Sequence, residues 1–270
     1  MVPPWSAFNS RQSSIYGAGM MALISNQYYL RRDRMLEFLD MLESTGDSAA
    51  NTVYLPPGMT ADTINGVLEN TSGTATIPEN LPDMAALSKT GGALFWGGAR
   101  KCLVSPPFPL REQAVFTGFV VEPLRNLLRV DYNIGLVLVH LGAYAVGLYQ
   151  GERLITSKVG TGLVHGRHKK GGSSQMRFQR RREKQADEFL DRVCRHAREH
   201  FESQAKLIDY MVYGGPRQTV MQLQKHCPFL GLFQDRVLTI LDVPDPRREV
   251  LEKAVVRLWS SRITEWREEI

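Results

Sequence analysis

The strongest constraint on how this 270-residue chain folds is the apolar stretch Ile134–Tyr149, interrupted by His140 and three glycines. Apolar runs of four to eight residues bounded by turn residues form buried strands. The spacing therefore predicts two strands, Ile134–Val139 and Ala143–Gln150, folded back at Leu141-Gly142, and a third strand, Arg153–Lys158, after Gly151. A long helix is expected from Gln175 to Glu202, because Ala186, Phe189/Leu190, Val193, Ala197 and Phe201 recur at helical spacing. Then come a strand at Ile208–Tyr213 closed by Gly214-Gly215, a helix from Pro216 to about Lys225, a strand at Val237–Val243 and a helix at Arg247–Glu268.

Three strands followed by αβαβα give the fold class: α/β, a ribonuclease-H-like layer occupying residues 131–270. The first half reads differently. Residues 1–30 are an N-terminal arm, with Ser, Pro and Asn concentrated in the first 16. Residues 31–130 form a smaller α+β domain. Its helices are Arg31–Glu43, Thr60–Leu68, Leu81–Leu87 and a short one or a connector at Pro123–Val130. Its strands are Thr52–Leu55, Ala93–Trp96, Lys101–Val104 and Val115–Val121, with a polar loop at Asn70–Thr76.

Net charge is +5, and its distribution matters more than its size. Lys158–Lys184 holds nine Lys/Arg and one acid, Glu183, so the rest of the chain is slightly acidic. A cationic patch of this kind fits nucleic acid; a solvated helix face is the bland alternative. The cysteines, Cys102, Cys194 and Cys227, are odd in number and far apart, which suggests neither a disulfide framework nor a zinc site and fits a reducing, cytosolic setting. Ile134–Tyr149 falls short of the roughly 20 apolar residues that span a bilayer, and no secretory signal opens the chain.

The patch centres on the loop 160–178. It reads His165-Gly166-Arg167-His168-Lys169-Lys170-Gly171-Gly172-Ser173-Ser174-Gln175-Met176-Arg177-Phe178, followed by Gln179 and Arg180-Arg181-Arg182. Paired glycines let a backbone approach another surface without a Cβ. Lysines and arginines neutralise phosphates without choosing sequence. Gln175 does not titrate and is no general base, but its amide holds a water through one donor and one acceptor. That suits catalysis by positioning, with the remaining active-site walls supplied by an RNA partner. Two plainer readings stand beside it: a generic phosphate cradle ahead of a helix, and Gln175 as an ordinary first-turn residue behind an N-cap Ser173 or Ser174. No Gly-Lys-Ser/Thr ends the loop, so it is no P-loop.

These residues resemble the middle domain of the archaeal/eukaryotic class-one peptide release factors. In that family a His- and Lys-rich loop reaches a Gly-Gly-Gln tip, and an Arg-Phe-x-Arg-x-Arg segment opens a long helix. Here His168-Lys169-Lys170-Gly171-Gly172 precedes the tip, and Arg177-Phe178-x-Arg180-x-Arg182 opens the helix. The likeness runs from about Arg31 to the end of the chain and is strongest over Gly135–Ala205, with Val53–Gly58 similar to the start of the family's N-terminal domain. Ser173 stands where the family has its glutamine, and Gln175 follows two residues on. This Gly-x-x-Gln pattern is similar to the Vms-type peptidyl-tRNA hydrolases. No Asn-Ile-Lys-Ser codon-reading motif occurs in the first half, and the sequence stops where the family carries a third, partner-binding domain.

The resemblance implies a codon-independent peptidyl-tRNA hydrolase, a carboxylic ester hydrolase of ribosome quality control, releasing nascent chains from stalled ribosomes or large subunits. It implies Gln175 as the residue that positions water, and Gly171 and Gly172 as the backbone entering the peptidyl-transferase centre; on chemical grounds, a hydroxyl of Ser173 or Ser174 is expected to donate to the oxyanion. Match and charge together make His168, Lys169, Lys170, Arg177, Arg180, Arg181 and Arg182 RNA contacts. The expected partners are the large ribosomal subunit and peptidyl-tRNA; no membrane, cofactor or metal is expected, and the protein is expected to be a cytoplasmic monomer. Three rivals follow. A metal-dependent nuclease needs clustered carboxylates, and Ile134–Val139 and Ala143–Gln150 carry none. A non-catalytic rescue module would keep the fold without the chemistry. A hydrolase of free peptidyl-tRNA would act off the ribosome.

Overall fold

The computed structural model describes residues 23–71, 77–98, 100–162 and 174–268. They form two compact units, Met1–Val130 with Leu258–Ile270, and Asp131–Arg257.

The first unit is built on a six-stranded antiparallel sheet. In chain order its strands are β1 (Leu23–Leu30), β2 (Asn51–Leu55), β3 (Gly92–Trp96), β4 (Lys101–Ser105), β5 (Ala114–Thr117) and β11 (Ser261–Glu268), arranged β1-β11-β4-β3-β2-β5. Helices cover both faces. On one side α1 (Arg32–Ser44) and α4 (Glu122–Arg129) press Met35, Leu39, Leu42, Leu124 and Leu128 onto Tyr54, Ala93, Phe95, Cys102, Val104 and Ile263. On the other, α2 (Ala61–Glu69) and α3 (Leu81–Ala86) press Ile64, Leu68, Leu81 and Ala85 onto Val53, Leu55, Leu94, Trp96, Leu103 and Trp266. A sheet packed on both faces needs apolar residues at successive positions, which is why β2 and β3 are buried along their whole length. Thr60 caps α2 by accepting the Thr63 N–H at 3.3 Å.

The second unit carries a five-stranded sheet of β6 (Asn133–His140), β7 (Ala143–Gln150), β8 (Arg153–Thr161), β9 (Tyr210–Gly214) and β10 (Val237–Leu241). The order is β10-β9-β6-β7-β8; β6, β7 and β8 are antiparallel, while β9 and β10 run parallel to β6. Counted within the unit this is 3-2-1-4-5, the ribonuclease-H-like order. One face packs on α5 (Ser174–Phe201) and α6 (Arg217–His226), with Phe189, Val193, Ala197, Phe201, Val220 and Leu223 meeting Val137, Val139, Tyr144, Val146 and Tyr213. From α7 (Arg248–Leu258), Leu251 packs over Gly147. Gly215 turns β9 into α6 at φ +115°, where a Cβ would collide with the Val139 carbonyl.

Three expectations need correction. Leu23–Leu30, assigned to the arm, is β1, paired along its length with β11. The last helix does not run to Glu268: it ends at Leu258, and Ser261–Glu268 is β11, which lies between β1 and β4 and takes the chain's end back to the first unit. Residues 258–270 therefore leave the expected second domain. Third, Cys194 and Cys227 form a disulfide, their Cα atoms 5.4 Å apart, because the packing of α5 on α6 brings together residues 33 apart in sequence. The odd count that argued against pairing reflects Cys102, which is free and buried in the first unit.

Candidate RNA-facing site at the head of the long helix

Helix α5 is 28 residues long, about 42 Å at 1.5 Å per residue. Among its described side chains, the fully buried ones are Phe189, Leu190, Val193, Ala197 and Phe201. Before them, Arg177, Gln179, Arg180, Arg181, Glu183 and Lys184 are exposed, Arg182 is half-buried, and Met176 is 68% exposed. The sequence explains the change. The apolar stripe that holds the helix to the sheet stops at Ala186, and charged residues take over toward the N-terminus. Ser174 and Gln175 are the first two helical residues, so Gln175 stands about 21 Å along the axis from Phe189. The backbone N–H groups of that first turn have no intrahelical partner, which makes this end of the helix electropositive.

The chain that leads to the loop is fixed at a different level of the helix. Gly162, the last described residue before it, donates its N–H to the Gly142 carbonyl at 2.9 Å. A Cβ on Gly162 would lie 2.6 Å from Phe189 Cδ2, so only glycine fits against that ring. Arg192 Nη1 donates to the Thr161 carbonyl at 3.0 Å. The end of β8 is thus tied to the middle of α5, roughly 27 Å from its first residue at Ser174. Sequence reading did not mark Arg192, since its partner is a main-chain oxygen 31 residues away.

The middle of α5 carries its own titratable cluster. The ring of Tyr144 stacks on His196, centroids 5.7 Å apart, and burial raises the Tyr144 pKa against the opposing fields of Arg192 and Arg195. His200 Nδ1 lies 2.8 Å from Thr156 Oγ1, and burial lowers its pKa. Glu199 pairs with His196 at 2.7 Å.

Of the expected site residues, Arg177, Arg180, Arg181 and Arg182 fall in the first three turns of α5, the first three of them exposed and Arg182 half-buried, and Ser174 and Gln175 open the helix. His168, Lys169, Lys170, Gly171, Gly172 and Ser173 lie outside the described residues. Among the described residues, no group of three or more His, Cys, Asp or Glu is placed to hold a metal ion, and no helix is long and apolar enough to cross a membrane.

Residues 132–264 match the family described as the Actinobacteria/chloroflexi VLRF1 release factor. Peptide chain release factor subunit 1 of Methanopyrus kandleri is 33% identical over 159 residues, covering 56% of this chain and 38% of that protein. The protein of the same name from Thermococcus sibiricus is 30% identical over 183 residues, covering 62% and 44%. The chain thus spans well under half the length of these curated relatives. Among solved structures, an archaeal translation termination factor aligns with a TM-score of 0.37 at 18% identity, covering 85% of this chain and 73% of that one. Archaeoglobus fulgidus Pelota aligns at 0.29 and 11%, covering 91% and 65%. Over its second unit the chain is similar to the release factors of translation.

Proposed function

We propose that this release-factor-like chain is a ribosome-associated peptidyl-tRNA hydrolase, of the Vms type with a Gly-x-x-Gln tip, that frees nascent chains from stalled ribosomes or large subunits without reading a codon. The observation that carries this reading is the placement of Gln175. It opens a helix whose first turns expose Arg177, Arg180 and Arg181 to solvent. A catalytic side chain that must reach into an RNA cavity needs an accessible support, and phosphates around that cavity need such cations.

The substrate is the ester between the peptide carbonyl and the ribose of the tRNA's terminal adenosine. Water attacks the carbonyl carbon, the carbon–oxygen bond to the ribose breaks, and the released ribose oxygen takes the proton. Gln175 selects and orients the water through its amide, while Gly171 and Gly172 bring the backbone into the peptidyl-transferase centre. Ser173 or Ser174, with the electropositive start of α5, stabilises the developing oxyanion. His168, Lys169, Lys170, Arg177, Arg180, Arg181 and Arg182 hold the surrounding RNA. The protein works as a cytoplasmic monomer and needs no cofactor.

Single-turnover release from stalled peptidyl-tRNA complexes tests this. Gln175→Ala should slow release by about 10²-fold or more, the cost of losing one transition-state contact. Release at the wild-type rate removes Gln175 from the mechanism. Binding with no release by the wild type itself would make the chain a non-catalytic rescue module, and equal activity on free peptidyl-tRNA would move it off the ribosome.

A further inference from the structure

The geometry points to a second RNA-backbone contact, made by Lys158 of β8 and Arg195 of α5, well behind the helix head. Arg177 and Arg195 are 18 residues apart, which is five turns of an α-helix. They therefore lie on one face of α5, separated by about 27 Å along its axis. Arg195 and Lys158 are exposed; Glu199, one turn on from Arg195, feels its charge, but its carboxylate is hydrogen-bonded to His196 at 2.7 Å. Lys158 lies on β8 between Thr156, hydrogen-bonded to His200, and Thr161, hydrogen-bonded to Arg192, and so runs beside the stretch of α5 that carries Arg195; Arg195 acts electrostatically on Tyr144 and Lys158 on His200. Arg192 adds its charge there while holding the Thr161 carbonyl.

Between the two cationic clusters lies an acidic band of Asp187, Glu188 and Asp191, all exposed. Glu188 pairs with Lys184 at 3.9 Å and Asp191 with His226 at 2.9 Å. Behind it, Glu199 is engaged by His196. A polyanion laid continuously along the helix would meet this band. Two phosphate runs, one at the head and one at Lys158 and Arg195, would not. The surface fits an RNA that presents its backbone at two points roughly 27 Å apart, the axial distance from Arg177 to Arg195. Held at both points, α5 has a fixed direction, and that direction sets where Gln175 goes. The ribosomal reading enters only in choosing which particle to use as the RNA.

The test measures binding of the full chain to large ribosomal subunits over a series of salt concentrations. Lys158→Glu with Arg195→Glu should weaken binding at every salt concentration and flatten the slope of log K against log salt by about 1 to 2, the share of two phosphate contacts. Lys158→Gln with Arg195→Gln should give a smaller change in the same direction, with the melting temperature kept. Arg180→Glu with Arg181→Glu is the control at the helix head. A slope and affinity unchanged in both Lys158/Arg195 pairs, while the head variants lower both, overturns the second contact. A wild type that binds no subunit rejects the ribosomal reading instead. The same variants on a short RNA duplex then decide the second contact by the same slope.

Discussion

His200 lies on the last turn of α5 with Nδ1 against Thr156 Oγ1, and burial holds its pKa below the ordinary histidine value. The charges of Lys158 and His196 push the same way, and Glu199 opposes them. The native state therefore refuses a proton that the unfolded chain accepts. Above the unfolded pKa, about 6.5, both forms are neutral and this contribution to stability is complete. It is lost as pH falls below that value and through the lower, native pKa. The urea midpoint of the wild type should drop between about pH 7.5 and about pH 5, and His200→Gln should show a smaller drop. Equal drops in the two proteins would clear His200 of any part in the acid response. Residue roles differ in how far sequence reveals them. Gln175 and the cations after it could be picked out because each is defined by close neighbours in the chain. Arg192 and Arg195 could not, because what they do depends on β8 and on the turns of a helix that carry Arg195 round to the face of Arg177.

At the scale of elements, the disulfide is the feature that most alters how α5 is held. Cys194 lies on the same stretch of helix as Val193 and Ala197, and Cys227 caps α6 from a buried position. Their bond adds a covalent tie to an interface otherwise made of apolar contacts. Closing a loop between residues 33 apart stabilises the folded state by about 3 to 4 kcal/mol on a chain-entropy estimate. Reduction should lower the melting temperature of the wild type by about 5–15 °C, and Cys194→Ala with Cys227→Ala should melt there with or without reductant. A wild-type melt indifferent to reductant rejects the bond as a stabilising element. The sequence placed the strands of the second unit well because they are apolar runs ended by glycine or polar turns. It misplaced β11 for a physical reason. Arg262, Glu265, Arg267 and Glu268 spread charge over the segment and suit an exposed helix, while its strand partners, Lys101–Ser105 and Leu23–Leu30, are more than 150 residues away. Ser260-Ser261 after Trp259, and the β-branched Ile263-Thr264, were the available signals of a break and a strand. Tertiary pairing outweighed local pattern.

For the molecule as a whole, the path of the chain matters more than any one helix. The first unit is completed by its last strand: β11 is an interior strand, paired with β1 on one side and β4 on the other. It contributes Ile263 to one core and Trp266 to the other, and it buries Glu265 beside Arg100. Burial of Ile263 and Trp266 is worth roughly 1.5–3 kcal/mol each, and removing the strand also strips β4 of one of its two ladders, leaving it at an edge beside β3, and leaves β1 with no partner. Against a total of about 5–15 kcal/mol for a typical domain, that loss is disabling. The second unit is one continuous segment, Asp131–Arg257, and includes none of β11. Truncation after Leu258 should therefore unfold the first unit and spare the second. Hydrogen exchange would show this directly. Amides of Gly92–Trp96 and Lys101–Ser105 should exchange fast in the truncated chain, while those of Asn133–His140 and Ala143–Gln150 keep their protection. Persistent protection in β3 and β4 would mean that the first unit stands without its closing strand. Loss of protection in β6 and β7 would mean that the two units do not fold separately, and a release assay on the second unit alone would then have no meaning.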